Sequence, residues 1–168
     1  ITTGDGNTAI GYNVLTSNTT GFDNTGIGES ALKAHTTGHY NTAIGHEALQ
    51  STTTGYQNTA VDANSLTDNT TGGKNTAMGP LSMWSNTTGS QNTAIGSESL
   101  RYNTTASNNT ALGHESLKEN ATGIQNTAVG SNALLNYNAS NSTALGYNAG
   151  YTTYGIGEQE VTGSKNTF

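Results

Sequence analysis

Histidines and acids are the side chains here best suited to chemistry, and they are not spaced for it. His35 and His39 fall in a Thr/Gly-rich stretch with no matched acid or nucleophile beside them. His46 and His114 share one repeat position, next to Glu47 and Glu115. That position reads Tyr12, Glu29, His46, Ala63, Pro80, Ser97, His114, Ser131, the variability of an exposed surface. Calcium β-rolls need an acid in every turn, whereas acids are sparse here and Asp62 stands alone. The glycine-rich turns lack the Gly-Lys-Ser/Thr ending and following helix of a phosphate loop. No catalytic residue, metal ligand or cofactor site is assigned, and the chain reads as a non-enzyme. With five Lys and Arg and a net charge of −6, it offers no basic patch to a nucleic-acid backbone. It has no cysteine, and no apolar run approaches the roughly 20 residues of a membrane-spanning helix.

Aromatic residues are the better candidates for contact with a ligand. Tyr12, Tyr40, Tyr56, Trp84 and Tyr102 are placed to lie against sugar rings, or alternatively to pack over loops.

What positions these residues is a repeat. Asn-Thr-Ala starts at Asn7, Asn41, Asn58, Asn75, Asn92, Asn109 and Asn126, with Asn24-Thr25-Gly26 filling the gap, so the period is 17 residues. A fixed short period marks a solenoid, in which each unit packs only on its neighbours. The unit is Asn-Thr-Ala-Φ-Gly-x-x-Ala/Ser-Leu-x-x-x-Thr-Thr-Gly-x-x, with Φ aliphatic or Met. The Φ column is Ile10, Ile27, Ile44, Val61, Met78, Ile95, Leu112 and Val129, with Leu145 one residue early. A second apolar column is Leu15, Leu32, Leu49, Leu66, Met83, Leu100, Leu117 and Leu134. Turn glycines stand at Gly11, Gly28, Gly45, Gly79, Gly96, Gly113 and Gly130, and a second glycine column follows the Thr pair.

The pattern predicts an all-β chain. Thr-Ala-Φ favours a strand with Thr and Φ on one face and Ala on the other. Ala/Ser-Leu supplies a second short strand, and glycine permits the corners. A helix over Glu47-Ala48-Leu49-Gln50 would span barely one turn, too short to hold. About ten coils fit the 168 residues. Stacked roughly 4.8 Å apart, they make the Φ and Leu columns two interior ladders. The Asn column becomes a ladder of bonded amides, and the Ala column a flat face suited to a neighbouring chain. Two aliphatics per coil make a thin core, which predicts oligomerisation.

Residues 1–134 read as regular coils and 135–168 as irregular last coils, with an insertion at about 151–163. The chain is expected to be a fragment of a longer protein. Asn-x-Ser/Thr sequons occur at Asn18, Asn69, Asn86, Asn103, Asn108, Asn120, Asn138 and Asn141. Five of these share one loop position, so glycans there would line one edge of the solenoid.

Gly-x-Asn-Thr-Ala-Ile-Gly-x-x-Ala-Leu followed by Asn-Thr-Thr-Gly resembles the YadA-like head repeats of trimeric autotransporter adhesins. It resembles still more the repeat tracts of phage and bacterial tail-fibre domain proteins. The resemblance covers essentially the whole chain, although this coil is longer than the adhesin repeat. It implies a left-handed parallel β-roll, three chains to a fibre, outside the cell on a virion or a bacterial surface. The function it implies is a structural and adhesive head or shaft that presents a surface to a cell-surface receptor or glycan. The alternative is an ice-binding β-solenoid, with Thr ladders formed by pairs such as Thr36-Thr37 and Thr53-Thr54.

Overall fold

A computed structural model describes residues 4–151. Among them there is no helix, and nine three-residue strands run from β1 (Thr8–Ile10) to β9 (Thr143–Leu145). The intervening strands are β2 (Thr25–Ile27), β3 (Thr42–Ile44), β4 (Thr59–Val61), β5 (Thr76–Met78), β6 (Thr93–Ile95), β7 (Thr110–Leu112) and β8 (Thr127–Val129). They form one parallel sheet in sequence order, giving about eight turns of a β-solenoid. Like pairs with like: Thr42 with Thr59, Ala43 with Ala60, Ile44 with Val61.

The strand alternation holds, but its sense is opposite to the expected one. Ala43, Ala60, Ala77, Ala94, Ala111 and Ala128 are fully buried. The Φ residues Ile10, Ile44, Met78, Ile95 and Leu112 are exposed, by 37% at Ile95 to 59% at Ile10. Ile27, Val61 and Val129 are half-buried. The Φ column is therefore an outer ladder, not an interior one, and the Ala column faces inward. Lumen width is the reason. The inside of each coil already holds the Leu column, buried from Leu15 to Leu134, and the Ala/Ser column before it. Two branched side chains opposite one another would overfill it.

One coil shows how tight this fit is. At β2 the inward alanine is replaced by Gly26, and the opposing residue is Val14, where other coils carry Ala or Ser. A Cβ on Gly26 would lie 2.5 Å from Val14 Cγ1. Gly26→Ala alone is expected to cost about 1–3 kcal/mol through overpacking. Val14→Ala in the same chain should recover most of it, read as a coupling energy in urea unfolding of the single and double variants. Additive costs would refute the fit.

The Ala/Ser-Leu segment does not form the expected second strand. It winds through turns in which two residues per coil are left-handed, such as Glu47 at φ 57° and Leu49 at φ 52°. Their N–H groups bond between coils (Glu47 N to Glu29 O, Leu49 N to Ser65 O). Those of Ala48, Gln50 and Thr52 bond within the turn. A left-handed leucine is unfavourable by itself. It recurs because that geometry sends the side chain into the lumen while the backbone stays bonded. Where the inward column is Ser, as at Ser82, Ser99 and Ser116, the hydroxyl donates to the carbonyl three residues back and is satisfied.

The turn glycines close each strand. Gly96 has φ +128°, and a Cβ on it would lie 2.6 Å from backbone atoms of Gly113 in the next coil. Asp62 takes this place once, at φ 97°, and its carboxylate accepts from Ala63 N.

The coil after β8 is one residue short yet stays in register, Thr127 pairing with Thr143. From Thr36 to Thr104 a threonine carbonyl receives successive N–H groups from the neighbouring coil (Thr53 N and Thr54 N to Thr70 O). At the short coil the side-chain oxygen of Asn138 takes this part, accepting from Thr122 N and Gly123 N at 2.9 and 3.3 Å. The insertion expected at about 151–163 lies outside the described residues, apart from Tyr151.

Candidate functional site

Two internal amide ladders hold the coils together. Asn41 Nδ2 donates to Asn24 Oδ1 at 3.0 Å and to Gly55 O at 2.9 Å, and its Oδ1 accepts from Asn58 N and Nδ2. The column is buried from Asn24 to Asn126. The second ladder was not expected. Asn18, His35, Thr52, Asn69, Asn86, Asn103, Asn120 and Tyr137 form one buried column. Its asparagines donate to the carbonyl three residues on, as Asn86 does to Gly89 O at 3.1 Å. Five of the eight sequons lie in this column, so they do not line an exposed edge. The signal was in the sequence: Gly or Ala follows every member of the column at fixed spacing, except Tyr137, where Ala139 comes one residue early.

His35 is consequently core and not loop. Its Nε2 lies 2.9 Å from Gly38 O and so carries the proton, while Nδ1 is buried without a partner. Burial holds its pKa below the ordinary 6.5. The unfolded chain therefore binds the proton more readily. The stability this group contributes is full above about pH 6.5 and falls as the pH drops below it, levelling off past the folded-state pKa. His35→Asn restores the column's usual residue and removes the titration. It is expected to flatten the difference in Tm between pH 7.5 and 5. An unchanged difference would show that His35 is not its source.

Outside the lumen there are three surfaces. The first is the strand face, with the Thr and Φ columns side by side across nine strands. Neither column contains a charged residue among the described residues. No hydroxyl from Thr25 to Thr127 in the strands bonds another described residue. The loop Thr pairs differ from this. The first of each pair is tied into the stack, as Thr36 Oγ1 is to Thr53 O at 3.0 Å. From Thr36-Thr37 onward only the second, such as Thr37 or Thr54, is exposed.

The second surface is an aromatic corner. Phe22 and His39 stack at 4.9 Å with 1° between planes, and His39 stacks on Tyr56 at 5.7 Å. Tyr40 stands edge-on to both Phe22 and His39. Beyond Tyr56 the column continues as Gly73, where a Cβ would lie 2.8 Å from the tyrosine ring. The rings thus bury their faces on one another and show their edges. Phe22 and His39 were missed as partners of Tyr40 and Tyr56, although they share the column of Tyr56.

The third surface joins Trp84 and Tyr102 through Arg101, whose guanidinium carbon lies 5.6 and 5.1 Å from the two ring centroids. Arg101 and Lys118 both bond Glu98, at 2.8 and 2.7 Å, and Lys118 also bonds Glu115 at 2.7 Å. The bonds from Lys118 and Arg101 hold the Glu98 carboxyl below the usual carboxylate range. Tyr12 joins neither group and is 71% exposed. The five candidate aromatics are therefore split over three places.

His46 and His114 each lie 3.9 Å from the neighbouring glutamate, on the surface. Among the described residues, no group of His, Cys, Asp and Glu could hold a metal. Among the same residues, no helix is long and apolar enough to cross a membrane.

Fold and ladders together define the class: a parallel β-solenoid repeat protein with a largely uncharged, half-apolar outer sheet. No protein-family model, curated protein or solved structure matches the chain.

Proposed function

We propose that this chain is a structural and adhesive fibre segment, extracellular on a virion or bacterial surface, in which three copies associate through their strand faces. The observation that carries the reading is the outward Φ column. A continuous strip of aliphatic side chains without charge is what interfaces bury. It runs about 40 Å along eight rises of roughly 4.8 Å, and its in-register geometry suits another copy of the same straight strip. Covering it would leave the aromatic corner and the Trp84–Arg101–Tyr102 group to meet a cell-surface receptor or glycan. The reading involves no catalytic group, cofactor, nucleic acid or membrane insertion.

Light scattering tests it. A mass near three times 17.2 kDa is expected, and a folded monomer at all concentrations would overturn it.

Ice binding is a second reading, favoured by one observation. Strand threonines with unengaged hydroxyls stand in register in one rank, spaced roughly 4.8 Å by the sheet itself. This is a different rank from the loop pairs, whose first hydroxyls are already used. Thermal hysteresis from a monomeric sample would favour this reading, and its absence at high concentration would end it.

A further inference from the structure

We infer that the five sequons in the buried polar column are folding liabilities and not modification sites, so that this solenoid assembles only where its unfolded chain escapes N-glycosylation. Asn18, Asn69, Asn86, Asn103 and Asn120 are 0–2% exposed. An oligosaccharyltransferase would bond the anomeric carbon of a lipid-diphosphate-linked oligosaccharide to the amide Nδ2. The sugar–diphosphate bond breaks, the lipid diphosphate leaves, and the nitrogen gives up one hydrogen. In Asn86 and Asn103 both hydrogens are already in use. Asn86 donates to Asn69 Oδ1 at 2.8 Å and to Gly89 O at 3.1 Å. Asn103 donates to Asn86 Oδ1 at 2.7 Å and to Ala106 O at 3.2 Å.

Nor is there space. A single carbon added at Gly89 would lie 2.4 Å from Asn86 Oδ1 and 2.8 Å from Asn103 Nδ2. A sugar ring beside either amide would force the coils apart and leave buried carbonyls unpaired. The transferase reads unfolded chain, to which all eight sequons look alike. Only Asn108, Asn138 and Asn141 are exposed in the fold. The inference does not rest on the oligomeric state or on the proposed fibre. It concerns where folding happens, and it directs an extracellular destination to a route without this modification.

The test exploits the second recognition residue. Thr20, Thr71, Thr88, Thr105 and Thr122 complete the five sequons and all face solvent. Replacing all five by valine removes the sequons and leaves every buried asparagine in place. Wild type and this variant would be secreted from a glycosylating mammalian cell, with site occupancy read by mass spectrometry and folding by cooperative melting. Wild type is expected to carry glycans in the column and to lose its folded, secreted species. The five-fold variant should be secreted folded, with glycans tolerated at Asn108, Asn138 and Asn141. Three outcomes overturn the inference: cooperatively folded wild type glycosylated at any column position, wild type that folds with all five column sites left empty, or a five-fold variant that fails as wild type does.

Discussion

Asn58→Ala is expected to lower the stability of the solenoid by about 1–3 kcal/mol, because the substitution orphans a buried donor that water cannot reach. The Asn58 amide donates to Asn41 Oδ1 at 3.1 Å and to Gly72 O at 2.9 Å. Its oxygen accepts from Asn75 N at 3.0 Å. With only a methyl at this position, Asn75 N–H stays in the interior without its partner, while Gly72 O keeps the Asn69 amide at 3.1 Å and Asn41 Oδ1 keeps Asn58 N at 3.0 Å. The loss is a large fraction of the ~5–15 kcal/mol that holds an ordinary domain. Asn58→Asp should be no milder. It keeps the acceptor but loses the donor and places a charge in the lumen. Because each coil touches only its neighbours, the damage should also divide the stack into two blocks that melt separately. Urea unfolding followed by circular dichroism checks both effects. A loss below about 1 kcal/mol would show that backbone bonds alone hold the coils.

The ladder could be read from sequence because Asn recurs at every seventeenth position, and a stacked amide column has one physical use. The coil period and the buried Leu column were legible for the same reason. The sense of the strand was not. Thr-Ala-Φ alternation has two mirror solutions, and hydrophobicity alone favours burying Ile44 and Ile95. What selects the other is the volume left by Leu49 and Leu100 with the small residue before each, a three-dimensional quantity. The Val14–Gly26 exchange was the trace of this in one dimension. Left-handed leucines were invisible because no propensity favours them. The second amide column was hidden by its company, since Asn-Thr-Thr-Gly looks like a solvated loop. His35 and Thr52 in the same column are alternative polar fillers of one buried slot. The Phe22–His39–Tyr56 stack was open to reading, since all three share one repeat position.

The outward sense of Φ also makes the functional proposal separable from the fold. Ile95→Lys together with Leu112→Lys places two charges on adjacent strands, at side chains 37% and 44% exposed in the single chain. Each change should alter the stability of the isolated coil stack by no more than about 0.5 kcal/mol, as surface substitutions usually do. In an assembly that buries the remaining two-fifths or so of these residues the same changes forfeit about 0.6–1.2 kcal/mol of burial per side chain in each copy, and they add like-charge repulsion around the axis. The expected result is an unchanged melting profile for the separated chain, with mass falling from near three times 17.2 kDa to 17.2 kDa. If the mass stays at three chains, the copies associate through another surface, and the aromatic corners become the first alternative to test. If wild type is itself monomeric, the same variant decides the ice reading. Lysines amid the threonine rank should abolish thermal hysteresis there, while the same pair of changes on the opposite side of the coil should not.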